Sequence, residues 1–368
     1  MEKPIHVLCV FSSLDRGGAE SMCMNLYRHM DRSQVQFDFV KHTDEIGVFE
    51  DEIQSMGGRI FCAPRYTFRN RSEYCNWWKR HFREHPEHQI VHGHFFTVSA
   101  IYFRIAKKFG RRTVAHSHSV HSNRRTLKVY AADVLIHQIR YYADERFACS
   151  QPAGKWLYGS REFKVLPNAI DSTLFRFDNM VRNAVRRQFG FAEGELVVGT
   201  VGSFTSAKNP FGTIEIFKRL YRKNTAARFL WIGDGLLRKD IEAKLSEAGL
   251  AEAVILTGVR EDVHRLLQAM DAFILPSLFE GLGMAAIEAQ AAGLRNFLSQ
   301  AVPREADITG RCRFLPLDDP EEWANAILST DLTKEDTAAR IRAAGYDIQD
   351  TSRWLQEFYL RLANHQAE

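Results

Sequence analysis

A chain of 368 residues, 45% of them apolar and 26% charged, is longer than one hydrophobic core usually serves, so we expect two compact domains. No run of about 18 uncharged apolar residues occurs and the first residues read directly into a strand, which excludes a membrane-spanning or signal segment and predicts a cytoplasmic protein. The net charge of +4 is uneven: residues 1–170 carry 25 Lys and Arg against 17 Asp and Glu, and the remainder carries 24 against 28. We therefore expect the first half to meet an anionic partner, although no nucleic-acid-reading motif accompanies the charge and nucleic acid is not predicted.

Short apolar runs alternate with longer amphipathic segments along the chain. The expected strands of the first half are IHVLCVF, VQFDFVK, RIFCA, QIVHGH and RRTVAHSH, with helices expected over 18–30, 48–56, 72–84 and 97–109. The second half repeats the pattern with LVVGTVG, ARFLWIG, AVILTG, AFILPS and RNFLS. This alternation predicts an α/β protein with parallel sheets covered by helices on both faces, whose ligands bind beyond the carboxyl ends of the strands.

The domain boundary is expected near 167–180, where KVLPNAIDSTLFRF has a Pro-Asn pair and no clear period. We accordingly predict a first domain over 1–170, a second over 171–350, and a terminal helical segment over 351–368 that packs back toward the first domain. The terminal helix is expected to be capped by Thr351 or Ser352. The six cysteines show no C-x-x-C pairing, which favours free and mostly buried thiols over disulfides or zinc ligands.

The strongest local pattern is PSLFEGLGMAAIEAQAAG over 276–293, in which a strand ends, a Gly-x-Gly turn follows and an Ala-rich helix begins near Gly283. Glycines let the backbone approach a ligand, and the free N–H groups of a helix start suit phosphate. Glu280 before the helix and Glu288 inside it could accept hydrogen bonds from sugar or ribose hydroxyls. The alternative is a helix with solvated acidic residues.

Two other strand-end loops carry candidate chemistry. In VVGTVGSFTSAKNP, residues 197–210, Lys208 could neutralise charge on a leaving phosphate, or could simply be solvated. In FSSLDRGGAE, residues 11–20, Gly17 and Gly18 precede a helix. Neither loop matches a dinucleotide-binding or P-loop pattern, which argues against nicotinamide-dependent redox chemistry and P-loop hydrolysis.

Histidine pairs follow two expected strands, in HGH at 92–94 and HSHS at 116–119. Side chains at i and i+2 of a strand share one face, so the pairs are candidate zinc ligands, but no third ligand with convincing spacing is evident in the sequence and no D-x-D pair occurs. We predict no metal and no cofactor, a polar site role for one of these histidines, and structural roles for the rest.

Together these motifs resemble the family 4 retaining glycosyltransferases of the GT-B fold, particularly the branch that builds exopolysaccharide and capsule. The similarity spans nearly the whole chain. Gly17 and Gly18 fit the family's Gly-Gly loop, and VGSFTSAKN fits its Lys loop. IGDG at 232–235 and GVRED at 258–262 fit two of its turns, and Glu280 with Glu288 fits its E-x7-E signature. The resemblance implies two Rossmann-like domains facing across a cleft.

The resemblance also implies a role for each matching residue. Donor sugar and diphosphate would be held by Glu280 and the backbone of Gly281, Leu282 and Gly283, and Glu288 would bind the ribose. Lys208 would stabilise the leaving diphosphate, with Gly17 and Gly18 on its other side. Val259 and Arg260 would meet the base, and His118, or less favourably His116, the sugar and the reacting face. Catalytic roles thus fall to His118, Lys208 and Glu280.

One departure is Ser203, which stands in V-G-S-F where the family usually has an arginine. Losing one of two cations at a developing diphosphate could cost a few kcal/mol of transition-state stabilisation. The resemblance nevertheless implies transfer with retention, without a metal, from a nucleotide-sugar. UDP is the commonest donor nucleotide of the family, and GDP is the main alternative. The alternatives are a nucleotide-sugar epimerase of the same fold, a catalytically degenerate binding partner, and a non-enzymatic nucleic-acid binder.

The expected acceptor is a glycan or a polyprenyl-diphosphate-linked molecule met by the basic first half. Residues 65–85 mix six Arg and Lys with Trp77, Trp78 and Phe82, and 124–130 adds further cations. Basic and aromatic residues together suit an anionic lipid surface, so peripheral association with the inner face of the plasma membrane is expected. The alternative is a solvated helix face whose tryptophans pack inward.

Overall fold

The computed structural model describes residues 3–15, 17–94, 98–118 and 136–364. The chain divides into two compact units, the first formed by 1–170 together with 345–368 and the second by Asp171–Ala344. The second unit ends six residues before the predicted limit at 350. The predicted cationic segment 124–130 and Ser119 of HSHS lie outside the described residues.

The first unit is built on a parallel sheet of seven strands in the order β3-β2-β1-β4-β5-β6-β7. The strands are β1 (Ile5–Val10), β2 (Val35–Lys41), β3 (Ile60–Cys62), β4 (His88–Gly93), β5 (Arg112–Ser117), β6 (Glu145–Ala148) and β7 (Lys164–Val165). Apolar residues of β1, β2 and β4 are almost wholly buried, as expected for a sheet covered on both faces. The five strands predicted for this half are all present, and β6 and β7 are additional.

Helices cover this sheet and connect its strands. They are α1 (Gly18–His29), α2 (Glu50–Ser55), α3 (Arg71–Glu84), α4 (Ser99–Lys108), α5 (Ile139–Tyr142) and α6 (Gln151–Tyr158), with a 3-10 turn at Phe68–Asn70. Within α3, Trp78 and Phe82 are fully buried and Trp77 is partly buried. The tryptophans therefore pack inward, as the alternative reading of 65–85 expected, while the cations of that helix remain exposed.

The carboxyl-terminal helix belongs to the first unit and packs on α1 and on the sheet. It spans Ile348–Asn364 and begins three residues before the predicted start. The predicted caps are wrong: Thr351 and Ser352 are buried inside the helix, and the Asp347 carboxylate instead accepts from the backbone N–H groups of Gln349 at 3.1 Å and Asp350 at 3.2 Å. An aspartate one turn earlier supplies the acceptor that helix-start donors need.

The second unit contains a parallel sheet of six strands in the order β10-β9-β8-β11-β12-β13. The strands are β8 (Leu196–Val201), β9 (Ala227–Ile232), β10 (Val254–Leu256), β11 (Ala272–Leu275), β12 (Arg295–Ser299) and β13 (Cys312–Leu315). All five predicted strands are present and β13 is additional. The two parallel α/β sheets confirm the predicted fold class.

The helices of the second unit are α7 (Ser172–Phe175), α8 (Asn179–Gln188), α9 (Pro210–Lys223), α10 (Arg238–Glu247), α11 (Val263–Ala269), α12 (Met284–Ala291), α13 (Pro320–Ser329) and α14 (Ala338–Ala343). Short 3-10 turns lie at Ser206–Lys208, Ala251–Ala253 and Arg304–Ala306. The carboxyl-terminal helix of the first unit, Ile348–Asn364, is hereafter α15.

Each sheet has one point at which the strand order reverses. In the first sheet the reversal lies between β1 and β4, and in the second between β8 and β11. Loops that leave the carboxyl ends of two such strands run to opposite faces and open a crevice between them, where ligands of open α/β sheets bind. The predicted Gly-Gly and HGH loops follow β1 and β4, and the Lys208 and Glu280 loops follow β8 and β11.

All six cysteines are free thiols, as predicted, although only Cys9 and Cys23 are fully buried and Cys62 is exposed. Among the described residues, none of the helices combines the length and the apolar character that crossing a bilayer requires.

Candidate functional site

The switch point of the second sheet brings Lys208 and Glu280 into direct contact. Nζ of Lys208 lies 2.6 Å from Oε1 of Glu280, and the same oxygen accepts a hydrogen bond of 2.7 Å from the Ser277 hydroxyl. The Glu280 side chain is 7% exposed and that of Lys208 is 31% exposed. The ammonium group is therefore held at the carboxyl end of β8 while remaining open to a ligand.

Backbone contacts fix the two loops that carry this pair. The N–H of Leu278 donates to the carbonyl of Ala207 at 2.8 Å, and the Asn209 side-chain amide donates to the carbonyl of Pro276 at 3.1 Å. Asn209 has a φ of 52°, a left-handed conformation that asparagine tolerates better than most residues. Its side-chain oxygen also caps α9 through the N–H of Gly212, so one residue both turns the Lys loop and ties it to the Glu loop.

The helix after Glu280 begins as the sequence predicted. Gly283 has a φ of 84° and precedes α12, which starts at Met284, and no side chain among the described residues caps that helix start. The first N–H groups of α12 are therefore available to an anion. Gly281 is exposed, and a Cβ placed there would meet nothing within 4 Å.

Glu288 lies one helical turn beyond the start of α12 and is half-buried. Burial raises the pKa of its carboxyl group to about 7. The group is thus poised between the neutral and ionised forms near neutral pH, and a hydroxyl-rich ligand could hydrogen-bond to either form.

The glycine-rich turns after β8, β9 and β10 lock together. A Cβ at Gly233 would lie 1.9 Å from the carbonyl oxygen of Gly202, and Gly233 has a φ of 143°. The N–H of Gly202 donates to Ile232 at 2.9 Å, and that of Gly233 donates to Gly258 at 2.9 Å. Because only glycine fits this approach, the IGDG and GVR turns hold three adjacent strand ends in register.

The residues expected near a nucleotide base follow the last of these turns. Val259 is 66% exposed, and the Arg260 guanidinium forms two hydrogen bonds to Asp262 at 2.8 and 2.9 Å. Neither arginine near these turns is free to replace the one that the family has at the position of Ser203. Arg260 is paired as above, and Arg238 is bound to Asp234 and to Glu242. Ser203 itself is exposed at the end of β8.

In the first unit, Gly17 and Gly18 open α1 after β1. No side chain among the described residues caps this helix start, but the Glu20 carboxylate lies so close that a Cβ at Gly17 would meet its Oε2 at 2.1 Å. Burial raises the pKa of Glu20.

Four histidine rings stack at the carboxyl ends of β4 and β5. The ring centroids of His92 and His94 lie 4.2 Å apart, as do those of His116 and His118. Across the two strands, Nδ1 of His94 lies 2.8 Å from Nε2 of His118. Phe11, after β1, stacks on His94 at 4.4 Å. The predicted residue His118 is thus one member of a four-ring cluster.

Burial keeps this histidine cluster neutral. It lowers the pKa of His92 and of His118 to about 3, and those of His94 and His116 well below the usual value. Among the described residues, Nε2 of His92, Nε2 of His94 and Nδ1 of His118 are buried without a hydrogen-bond partner. Sequence reasoning missed the support from α15, where the Tyr359 hydroxyl lies 2.5 Å from Nδ1 of His92.

Three groups of side chains among the described residues could hold a metal ion on geometry alone. The ring nitrogens of His92, His94 and His116 lie within 4.8 Å of one another, which supplies the third ligand that spacing did not reveal. The buried Cys9, Cys23 and His94 form the second group, and His6, Asp38 and His88 form the third. In this last group the Asp38 carboxylate is already bound by both histidines and by the Arg59 guanidinium at 2.6 to 2.9 Å. The guanidinium balances the carboxylate charge that a metal cation would need. The absence of a required metal stays a prediction.

A cavity of about 510 Å³ opens beyond the ends of β1 and β2 in the first unit, and its lining includes Ser12, Ser13, Thr43, Arg65 and Tyr66. It combines hydroxyl groups, a guanidinium and a phenol with the carboxylate of Glu45, and such groups bind sugar hydroxyls. Its volume lies within the usual range for small-molecule sites.

Comparisons with known proteins identify the family of this chain. The family model described as Glycosyltransferase Family 4 matches residues 16–174, and the one described as Glycosyl transferases group 1 matches 195–330. The chain is 31% identical over 336 residues to a Bacillus subtilis protein named "Putative glycosyltransferase EpsF", covering 87% of this chain and 86% of that one. The chain belongs to the family 4, group 1 glycosyltransferases.

Two further relatives are informative. A segment of this glycosyltransferase is 29% identical over 172 residues to the Escherichia coli UDP-Gal:alpha-D-GlcNAc-diphosphoundecaprenol alpha-1,3-galactosyltransferase, covering 46% of this chain and 43% of that one. The structure of Anabaena HepE in complex with UDP superposes with a TM-score of 0.79 at 17% identity, covering 97% of this chain and all of that one. At that identity the superposition shows the fold, which is the GT-B fold predicted.

Proposed function

We propose that this glycosyltransferase moves a sugar from a UDP-sugar to a polyprenyl-diphosphate-linked glycan with retention of anomeric configuration, in the synthesis of a surface polysaccharide. The observation that carries the proposal is the joining of Lys208, Glu280 and the uncapped start of α12 at one switch point. A cation beside free N–H groups can take up the charge that develops on a departing diphosphate.

The donor assignments within the second unit follow from that arrangement. Lys208 would exchange part of its contact with Glu280 for the diphosphate, which leaves the Glu280 carboxylate free to accept sugar hydroxyls. Glu288 would bind the ribose, and the exposed Val259 with the backbone at Arg260 would meet the base. No metal is required because Lys208 and backbone donors supply the positive charge. Ser203 lines the same strand end without adding a charge.

In the first unit, the roles of Gly17, Gly18 and His118 toward the donor are supported by the family resemblance. The neutral imidazole of His118 could donate or accept a hydrogen bond. The UDP complex of HepE and the name of the galactosyltransferase support the base and the acceptor class. The enzyme would act in the cytoplasm or peripherally at the inner face of the plasma membrane, where lipid-linked acceptors are found.

A thermal-shift screen against UDP, GDP, ADP, CMP and their common sugars tests the donor. A ligand at about a hundred times its dissociation constant adds roughly 2.7 kcal/mol of stability. We expect UDP and one UDP-sugar to raise the melting temperature and Glu288→Ala to abolish the shift, with Glu247→Ala on the exposed end of α10 as the matched control. If no nucleotide stabilises the wild type, the proposed binding of a nucleotide-sugar donor is wrong.

Transfer itself is tested with the UDP-sugar found in that screen and a polyprenyl-diphosphate-linked GlcNAc acceptor, with the anomeric configuration of the product read by NMR. A product with the donor's configuration, formed equally well after EDTA treatment, supports retention and metal independence. Turnover of the donor sugar with no acceptor present would favour an epimerase. UDP binding without turnover would favour a degenerate partner, the reading that Ser203 supports.

A further inference from the structure

A groove of about 520 Å³ runs between α3 and α4 on the outer side of the first sheet. It is lined by one stripe from each helix. Arg71, Cys75, Lys79 and Arg83 recur every four residues of α3, and 101, 104, 105 and 108 form the facing stripe of α4. Residues at these spacings lie on one side of a helix, so the two stripes form the walls of a single groove.

The floor of the groove is apolar. Ile105 is buried, and Cys75, Ile101 and Phe109 are partly buried beneath the rim. At one end Phe68 is 74% exposed. An apolar groove of this size is typical of a site that encloses part of a single hydrophobic molecule.

The rim of the groove is cationic. Five exposed cations line it, namely Arg71, Lys79, Arg83, Arg104 and Lys108. Among the described residues, no carboxylate lines the groove and none of these five forms an ion pair. By contrast, Lys107 of the same helix points elsewhere and binds Asp144 at 2.6 Å. Like charges this close repel one another, so the arrangement favours an anionic ligand.

The groove also adjoins the cavity at the carboxyl ends of the strands. Tyr66 lines both the groove and the 510 Å³ cavity that contains Arg65, Ser12 and Ser13. The Arg71 end of the groove therefore lies toward the edge of the sheet at which function is expected, and the Phe109 end lies away from it.

We propose that the groove between α3 and α4 binds the isoprenoid chain of a polyprenyl diphosphate, with the diphosphate at the Arg71 end and the glycan in the adjoining cavity. The inference rests on the proposed function and names the part of the acceptor that the enzyme recognises. A groove walled by two helices fits one hydrocarbon chain better than the flat surface of a bilayer does. The long stems of the rim lysines and arginines cover apolar surface while their charges meet phosphate.

Farnesyl diphosphate is a suitable probe because it carries the same head group on a short chain. Its binding is measured by calorimetry beside inorganic diphosphate, farnesol and vesicles that contain phosphatidylglycerol. We expect farnesyl diphosphate to bind at least about tenfold more tightly than either fragment. Equal binding of inorganic diphosphate would reduce the site to a charge cluster, and equal binding of farnesol would remove the role of the cations; each result overturns the proposal.

Two variants locate the site. Ile101→Asp places a charge on the floor, and the double variant Arg71→Gln with Arg104→Gln removes two rim charges; each should weaken farnesyl diphosphate binding by about tenfold or more. Lys155→Gln, an exposed cation of α6 outside the groove, should leave it unchanged. Unaltered binding in Ile101→Asp would place the ligand elsewhere. A second result would also overturn the proposal: no binding of farnesyl diphosphate, together with co-flotation on anionic vesicles that the variants weaken. The groove would then be a contact with the bilayer.

Cys75 gives a readout that does not depend on affinity. Farnesyl diphosphate should slow its alkylation by N-ethylmaleimide, read by peptide mass spectrometry, while the exposed Cys62 outside the groove keeps its rate. The UDP-induced thermal shift of the second unit serves as the independent test. A normal UDP shift with no protection of Cys75 rejects the proposed lipid site and leaves the donor proposal intact. Protection of Cys75 without a UDP shift supports the lipid site and rejects the donor proposal.

Discussion

The hydroxyl group of Tyr359 lies 2.5 Å from Nδ1 of His92, a contact between residues 267 positions apart. It joins the carboxyl-terminal helix α15 to the buried histidine cluster at the end of β4. Removing the hydroxyl leaves a buried imidazole nitrogen without its partner, which typically costs about 1–3 kcal/mol.

We therefore predict that Tyr359→Phe lowers the unfolding free energy of the first unit by that amount, measured by hydrogen exchange of α1 and α15 under increasing urea. Tyr141→Phe, at a tyrosine that is 59% exposed, is the matched control and should have no effect. Unchanged protection of α15 in Tyr359→Phe would show that the contact does not stabilise the helix.

The histidine cluster should make the first unit acid-sensitive. The folded pKa values of His92 and His118 are about 3, below the unfolded value near 6.5, so between these limits the unfolded chain binds more protons. Stability is fully present above about pH 6.5 and is lost as the pH falls toward 3. At pH 5 the loss is on the order of 1–2 kcal/mol for each histidine.

Hydrogen exchange at pH 7 and pH 5, corrected for intrinsic rates, measures this loss unit by unit. The second unit contains a single histidine, His264, and should not share this loss. Equal pH dependence in the two units would contradict the prediction.

Glu288 should act in the opposite sense within the second unit. Its folded pKa of about 7 is above the ordinary glutamate value of 4.5, so its ionisation opposes folding increasingly as the pH rises through this range. Glu288→Gln is expected to stabilise the second unit by about 1–3 kcal/mol at pH 8 and to leave its stability at pH 4 nearly unchanged. Urea unfolding at both pH values checks the sign, and a destabilising effect at pH 8 would mean that the ionised carboxylate has a favourable partner.

Gly233 is the most constrained position of the donor-side turns. Gly233→Ala combines an unfavourable φ of 143° with a Cβ placed 1.9 Å from a backbone oxygen, so the turns after β8 and β9 must separate. We expect a loss of about 2–4 kcal/mol in the second unit. Gly281→Ala, where a Cβ meets nothing, should unfold like the wild type in the absence of nucleotide. Calorimetry of both variants without ligand measures the difference.

Much of the fold could be predicted because parallel strands buried on both faces appear as continuous apolar runs. Three strands were not predicted, and the reasons are physical. β7 has only two residues, and β6 and β13 carry charged residues at Glu145, Arg146 and Arg313 that obscure the apolar signal. These strands lie at or near the far edges of their sheets, where burial is less complete.

The site was predictable to the extent that it follows strand ends. Residues after β8 and β11 could be placed in the same region, but their pairing through Lys208 and Glu280 depends on the strand order, which the sequence alone did not provide. The contact of Tyr359 with His92 and the groove between α3 and α4 arise from packing between segments distant along the chain. No local pattern carries that information, although the four-residue recurrence of Arg71, Cys75, Lys79 and Arg83 could have revealed one wall of the groove.

The assignment of α15 to the first unit has a consequence for biosynthesis. A ribosome releases 1–170 early, yet the helix that covers β1 and β2 and holds His92 emerges only after the whole of Asp171–Ala344. The second unit is contiguous and can fold as soon as it leaves the exit tunnel, so the amino-terminal half waits, incomplete, for its last helix. During that interval the apolar surface that α15 will cover is exposed, and we expect chaperones to bind there. Nascent chains arrested just before Ile348 should therefore be far more sensitive to protease in their first half than in their second.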